Sequence, residues 1–169
     1  MNFLAHLYLS GDDPEIKVGN FIGDFVKGIN LLNQYPAGVA RGIKLHRAID
    51  EFTDANEIVQ KSKKRLRPRY RHYAPVIVDI FYDHYLATLW ENYHPQPLEQ
   101  FAAESYALVR NSKFELPRQV KYILHYMERG SWLVNYATLD GINRELTGYY
   151  RRTTFDYRMD KAITDLKND

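Results

Sequence analysis

The sequence predicts an all-α protein, a single-domain helical bundle spanning residues 1–169. Its 169 residues suit one hydrophobic core, since single cores usually serve chains of about 100–200 residues. Helix start signals recur along the chain, whereas hairpin signals of the Asn-Gly or Asp-Gly type between alternating strands are missing. No internal repeat or linker rich in Gly, Pro or Ser divides the chain.

The opening segment Met1–Leu9 is apolar and reads as a first helix buried in the core. It has no basic leader and is too short to cross a bilayer, so we expect no membrane span and a cytoplasmic location. Asp12-Asp13-Pro14 combines a carboxylate cap with proline in the first turn, and predicts a helix ending at Gly28.

The remaining helices are predicted from prolines, caps and apolar runs. Pro36 opens a helix that breaks near Thr53-Asp54, where either residue can cap the next one. Pro75 starts or kinks the helix of the apolar stretch 73–93, and a polar segment from about Asp156 is a docked helix or a frayed tail. We expect roughly seven helices, among them 15–27, 36–52, 54–66, one within 73–93, one after Pro97, one after Pro117 and 137–150.

The chain contains no cysteine. This excludes disulfides, thiolate metal sites and cysteine nucleophiles. A metal ion would be held by His, Asp and Glu, which favours Mn, Mg, Fe or a His/carboxylate Zn site.

A histidine and two aspartates recur at intervals of four in the segment 42–54. Each such interval drifts only about 40° around a helix, so His46 and Asp50 share a face, with Asp54 following if the helix continues. Leu45, Ile49 and Phe52 place that face near the core, where an imidazole and a carboxylate can bind one metal ion. The alternative is a simple His–Asp hydrogen bond on a half-buried helix.

Three further groups of residues are candidates for the same site. Asp79 and Asp83 lie four apart in the most apolar helix, with His84 beside them, and buried acids are normally paired or metal-bound. The alternative for the acids is ion pairing with Arg65, Arg69 or Arg71. Asp24 is the only charge between Lys17 and Lys27, beside glycines that allow close approach. His6 is a candidate ligand or a hydrogen-bonded core residue.

Basic charge is concentrated between residues 61 and 71, where seven lysines and arginines occur without an acid. Such a run binds nucleic acid, a membrane surface or an acidic protein, or is a solvated helix end. No nucleic-acid-binding module is visible, so we expect no nucleic-acid partner.

Several ordered segments together resemble the bacterial acyl carrier protein phosphodiesterases. These are Asn2–Leu7, Gly19–Gly28, Gly42–Asp54 and Asp79–His84. The resemblance implies an HD-domain-like fold, a divalent metal, manganese above all with Mg²⁺ or Fe²⁺ as alternatives, and a role in lipid metabolism. The implied reaction removes 4′-phosphopantetheine from a serine of holo acyl carrier protein, an acidic partner. One departure is the absence of a His-Asp dipeptide; Asp83-His84 has the reverse order.

On this basis we expect metal-activated water to hydrolyse the diester, with Arg47 contacting phosphate or pairing with Glu51. Two alternatives stay open: an HD-like phosphohydrolase acting on nucleotides or other small phosphates, and an inactive helical binding module. The expected catalytic residues are Asp24, His46, Asp50 and Asp83. The candidate metal ligands are His6, Asp24, His46, Asp50, Asp79, Asp83 and His84. The expected partner-binding residues are Arg47, Lys63, Lys64, Arg65, Arg67 and Arg69.

Overall fold

A computed structural model describes residues 2–150 and 161–167. The described residues form ten α-helices and no strand, which confirms the all-α prediction. The helices are α1 (Phe3–Tyr8), α2 (Pro14–Ile22), α3 (Ala37–Ala55), α4 (Glu57–Tyr70), α5 (Ala74–Thr88), α6 (Leu98–Arg110), α7 (Arg118–Arg129), α8 (Trp132–Asn135), α9 (Leu139–Tyr150) and α10 (Ala162–Lys167).

The helix starts follow the capping signals, but the end of α2 and the start of α4 differ from the prediction. The Asp13 side chain caps α2 by accepting hydrogen bonds from two backbone amides of the first turn. The helix then tightens into a 3₁₀ turn over Gly23–Phe25 and does not continue to Lys27. The side chain of Asn56 caps α4, in place of the predicted Thr53 or Asp54.

The second half of the chain follows the proline signals. Pro75 lies in the first turn of α5, and helices α6 and α7 begin directly after Pro97 and Pro117. Helix α4 runs past its predicted end near Leu66 and contains Pro68. Of the C-terminal segment predicted from about Asp156, residues 156–160, 168 and 169 lie outside the described residues, and α10 lies in the described part between them.

The helices share one hydrophobic core. Leu4, Phe21, Ile43, Ile77 and Leu133, from five different helices, are each at most 1% exposed and belong to one cluster. Within the described ranges, no helix has the length and apolar character needed to cross a membrane.

Helices α2 and α3 approach each other closely because glycines face each other at their crossing. A Cβ atom on Gly19 would lie 2.1 Å from the carbonyl oxygen of Val39 and 2.8 Å from the Cα atom of Gly42. Only glycine therefore fits there, and the close crossing brings the C-terminal end of α2 against the middle of α3.

We expect Gly19→Ala to lower the free energy of unfolding by about 1–3 kcal/mol, the usual effect of overpacking a closely packed contact. Chemical denaturation followed by circular dichroism measures the change. The matched control is Gly148→Ala in α9, where a Cβ atom would meet no described atom outside its own helix within 4 Å. Equal stability of the two variants would contradict the close crossing.

Candidate metal centre

Four side chains from three segments converge at the close crossing. One ligand atom each of His6 on α1, and of His46 and Asp50 on α3, lie within 4.8 Å of one another. The Asp24 carboxylate approaches from the 3₁₀ turn that follows α2. The histidines are buried, Asp50 is half-buried and Asp24 is exposed. The group therefore lies at the core edge, open to solvent on one side.

The carboxylates face the imidazoles at short range. His46 Nε2 lies 3.1 Å from Asp24 Oδ1 and 3.3 Å from Asp50 Oδ2, while His6 Nε2 lies 3.2 Å from Asp50 Oδ1. The two imidazole rings stack with their centroids 3.8 Å apart. The i,i+4 spacing of His46 and Asp50 thus places both side chains on the predicted face of α3.

Gly23 makes room for this arrangement. A Cβ atom at Gly23 would lie 2.2 Å from Cγ of His46, so any larger residue would displace the ring. The turn that begins at Gly23 also carries Asp24 to the Nε2 side of the same ring. The glycine-flanked acid that the sequence singled out therefore lies in the site.

Asn20 orients both histidines, a role that the sequence analysis did not assign. It is fully buried. Its side-chain Nδ2 donates to the backbone oxygen of His6 at 2.7 Å and to Ser10 Oγ, which turns Oδ1 toward His6 Nδ1 at 2.8 Å. Its backbone oxygen lies 2.8 Å from His46 Nδ1. Both Nδ1 atoms therefore face acceptors and carry the proton of the neutral ring.

The Nε2 atoms consequently present lone pairs to the carboxylates. Among the described residues, the buried His6 Nε2 atom has no hydrogen-bond partner, although it lies 3.2 Å from Asp50 Oδ1. A buried nitrogen lone pair beside a carboxylate is unfavourable unless a cation lies between them. Ligand atoms about 2.1 Å from one ion lie about 3.0–3.4 Å apart. The distances of 3.1, 3.2 and 3.3 Å between the imidazole nitrogens and the carboxylate oxygens fall in this range. The donor set and its geometry therefore fit a divalent metal ion.

Without a metal, a proton takes the place of that cation at His46. Burial disfavours the charged imidazolium, but the hydrogen bonds to Asp24 and Asp50 outweigh it and raise the pKa of His46 to about 9. The hydrogen bond to His46 lowers the pKa of Asp24. Burial acts to raise the pKa of Asp50, yet the hydrogen bond to His46 and the adjacent His6 imidazole hold that pKa well below its usual range.

This proton predicts how the stability of the metal-free protein depends on pH. The pKa of His46 is 6.5 when unperturbed and about 9 in the folded chain, so the folded chain binds the proton more tightly. The resulting stability is fully present below pH 6.5 and is lost as the pH rises through about 9. We expect thermal unfolding in EDTA to show this decrease, and His46→Gln to remove the decrease due to this residue. An unchanged profile in that variant would contradict the assignment.

Asp83 and His84 have contacts elsewhere. The two carboxylate oxygens of Asp83 accept hydrogen bonds from the backbone amides of Leu4 and Ala5 at 2.8 and 3.0 Å, which caps α1. His84 Nδ1 lies 2.7 Å from the backbone oxygen of Tyr136. The structure thus gives Asp83 a capping role where the sequence predicted a catalytic metal ligand, and neither residue joins the converging group. Burial raises the pKa of Asp83 to about 8.

Asp79 lies closer to the converging group. It lines a cavity of about 300 Å³ together with Asp24, Asp50 and Asp54. The side chain is half-buried, and desolvation raises the pKa of its carboxyl group. An acid that tends to keep its proton therefore faces the same cavity as two of the candidate ligands.

The basic residues that the sequence singled out differ in exposure, and some of them have partners within the chain. Lys63 is only 3% exposed and its ammonium group pairs with Asp54, so its side chain is not part of the surface patch that the sequence predicted. Arg69 pairs with Asp165 on α10. The guanidinium group of Arg47 donates a hydrogen bond to the backbone oxygen of Val26 at 3.2 Å, a contact that the sequence did not predict. The exposed basic residues of α4 are Lys61, Lys64, Arg65, Arg67 and the ion-paired Arg69.

Comparison with known proteins identifies the relatives of this chain. A profile of the acyl carrier protein phosphodiesterase family matches residues 1–169. A protein of that name from Enterobacter sp. (strain 638) is 35% identical over 153 residues, covering 90% of this chain and 79% of the relative. Another from Photorhabdus laumondii is 34% identical, covering 90% and 77%. No solved structure matches the chain. The chain belongs to the acyl carrier protein phosphodiesterase family.

Proposed function

We propose that this protein hydrolyses the phosphodiester between 4′-phosphopantetheine and a serine of holo acyl carrier protein, in a metal-dependent reaction. The relatives carry the name of an acyl carrier protein phosphodiesterase. The observation that carries the metal dependence concerns the buried His6 Nε2 atom. It lies 3.2 Å from Asp50 Oδ1 but has no hydrogen-bond partner of its own among the described residues.

The ion would be held by His6, His46, Asp50 and Asp24. Nitrogen and oxygen donors without sulfur suit Mn²⁺, with Mg²⁺ or Fe²⁺ as alternatives. A divalent ion in such a site supplies Lewis acidity, which lowers the pKa of water toward neutrality and offsets negative charge on phosphoryl oxygens. The protein contributes fixed ligand orientation, because Asn20 holds both imidazoles with Nε2 toward the carboxylates.

Asp79 is the residue to which we assign protonation of the departing serine oxygen. Its carboxyl group lines the cavity beside Asp24 and Asp50, and its pKa is raised by burial, so it retains a proton more readily than an exposed aspartate. The converging carboxylates cannot serve this purpose, because their pKa values are lowered.

The exposed basic residues of α4 provide a surface for an acidic carrier protein. Lys64, Arg65 and Arg67 extend along the helix that begins next to Asp54 and the acid-lined cavity. Charge complementarity of this kind speeds encounter and weakens with salt. The rate of carrier-protein hydrolysis at low substrate concentration should therefore fall as ionic strength rises.

The proposal is tested by incubating the EDTA-treated protein with holo acyl carrier protein, with and without added Mn²⁺. Intact-mass spectrometry follows the carrier, and the Enterobacter relative serves as the positive control. Loss of the phosphopantetheine mass only in the presence of metal is the expected result. If the folded protein removes nothing with Mn²⁺, Mg²⁺ or Fe²⁺ while the control is active, the carrier-protein substrate is wrong. A panel of nucleotides then tests the nucleotide phosphohydrolase alternative.

A further inference from the structure

A second cavity opens beside the candidate metal centre. Its volume is about 410 Å³, within the usual range of small-molecule sites. Asn2 and Asp24 line both this cavity and the acid-lined one, so the two meet next to a candidate metal ligand. A phosphate group at the metal centre would therefore lie at the mouth of the second cavity.

The walls of this cavity are largely aromatic and aliphatic. Phe3 and Phe25 line the end near Asp24, while Ile123 of α7 and Trp132 of α8 line the part contributed by the second half of the chain. Such walls bind the apolar portion of a ligand by removing its surface from water. This cavity is therefore more apolar than the carboxylate-lined cavity beside it.

The polar groups of the wall suit a neutral ligand with amide groups. The side chains of Asn2 and Asn135 are carboxamides, which both donate and accept hydrogen bonds. The charged residues of the wall are Asp24, Glu145 and Arg144, so acids outnumber the single cation. A polyanion such as a nucleoside triphosphate would be repelled by this combination, whereas an uncharged chain would not.

We infer that this cavity receives the pantetheine arm of the substrate, with Ile123 and Trp132 as specificity-determining residues. The inference rests on the proposed function, which puts the phosphodiester at the metal centre. The arm is uncharged and flexible, and it carries two amides, a hydroxyl group and a pair of geminal methyl groups. The apolar walls match the methyl and methylene groups, and the carboxamides match the amides.

Ile123→Trp tests the inference by filling the cavity. Ile123 is half-buried, so an indole ring at this position occupies the cavity without replacing a fully buried core residue. The matched control is Tyr122→Trp, which places the same side chain on the neighbouring residue of α7 at a position that is 67% exposed. Trp132→Ala is a second variant that removes a wall without adding bulk. Thermal unfolding verifies the fold of each.

The direct readout is the affinity for 4′-phosphopantetheine, measured by calorimetry with Mn²⁺ present. We expect affinity to fall by about tenfold in Ile123→Trp and in Trp132→Ala, while Tyr122→Trp equals the unmodified protein. Affinity for inorganic phosphate, which has no arm, should be the same in all four proteins. Equal affinity for 4′-phosphopantetheine in all four would overturn the inference.

A second readout separates this inference from the proposed function. If the unmodified protein leaves holo acyl carrier protein intact, the proposed function fails, and the binding comparison still decides whether the cavity holds the arm. If it is active, Ile123→Trp should raise KM for holo carrier protein by about tenfold. The same variant should hydrolyse bis(p-nitrophenyl) phosphate, which lacks the arm, as well as Tyr122→Trp does. Equal losses on both substrates would overturn the assignment.

Discussion

Asp50→Asn is expected to reduce Mn²⁺-dependent hydrolysis of holo acyl carrier protein by at least about 100-fold, the upper end of the effect of removing an outer-shell partner. Asp50 is the one carboxylate of the converging group that approaches both histidines, at 3.2 Å from His6 Nε2 and 3.3 Å from His46 Nε2. Asparagine keeps the shape but removes the charge, so ligand strength is lost with little change in packing.

The measurement combines the carrier mass assay with Mn²⁺ affinity from electron paramagnetic resonance. Glu51→Gln, the same kind of change at the neighbouring exposed residue, is the control and should retain full activity and affinity. Full activity of Asp50→Asn at low Mn²⁺ concentration would remove Asp50 from the ligand set. Activity that is lost while Mn²⁺ affinity is unchanged would give Asp50 a role other than metal binding.

Asn20→Leu is expected to weaken Mn²⁺ binding by about 10–100-fold and to lower the free energy of unfolding by about 1–3 kcal/mol. The variant removes the acceptor of His6 Nδ1, which leaves that buried nitrogen without a partner. It also removes one donor to the His6 backbone oxygen, which keeps its hydrogen bond from Ser10 Oγ. The His6 ring is then free to turn its Nε2 atom away from Asp50, although the backbone contact to His46 remains.

Calorimetric titration with Mn²⁺ and denaturant unfolding measure the two effects separately. Asn143→Leu, at an exposed position of α9, controls for the change of an asparagine to leucine. A purely structural role for Asn20 predicts lower stability with unchanged Mn²⁺ affinity in the folded protein. That result would contradict its role in positioning the histidines.

The sequence predicted the parts of the site that depend on local geometry. His46 and Asp50 share a face because residues four apart always do on a helix, and both lie in the converging group. Asp79 and Asp83 have the same spacing, yet one lines the acid cavity and the other caps α1. Spacing alone cannot separate these outcomes, because they depend on which helix packs against which side of α5.

The sequence also carries a signal for the buried position of Lys63. Lys63 belongs to a conspicuously basic run, but Val59 before it and Leu66 and Tyr70 after it lie at helical spacing on the buried face of α4. This pattern places Lys63 inside and its neighbours outside. Asn20 is likewise a polar residue between apolar ones, next to Phe21. Its partners on α1 and α3 lie 14 and 26 residues away, and only the tertiary structure shows them.

The capping of α1 by Asp83 makes the first helix depend on a residue that is translated much later. A helix of six residues is not stable by itself, and the acceptor for its first amides is a residue 79 positions further along the chain. During synthesis His6 leaves the ribosome long before Asp83, so we expect the converging group to be completed only after α5 has been translated and packed. An ion that needs His6 would bind only at this late stage. It would then join distant segments and favour the folded chain by mass action, so we expect a larger folded fraction of newly made protein where Mn²⁺ is plentiful.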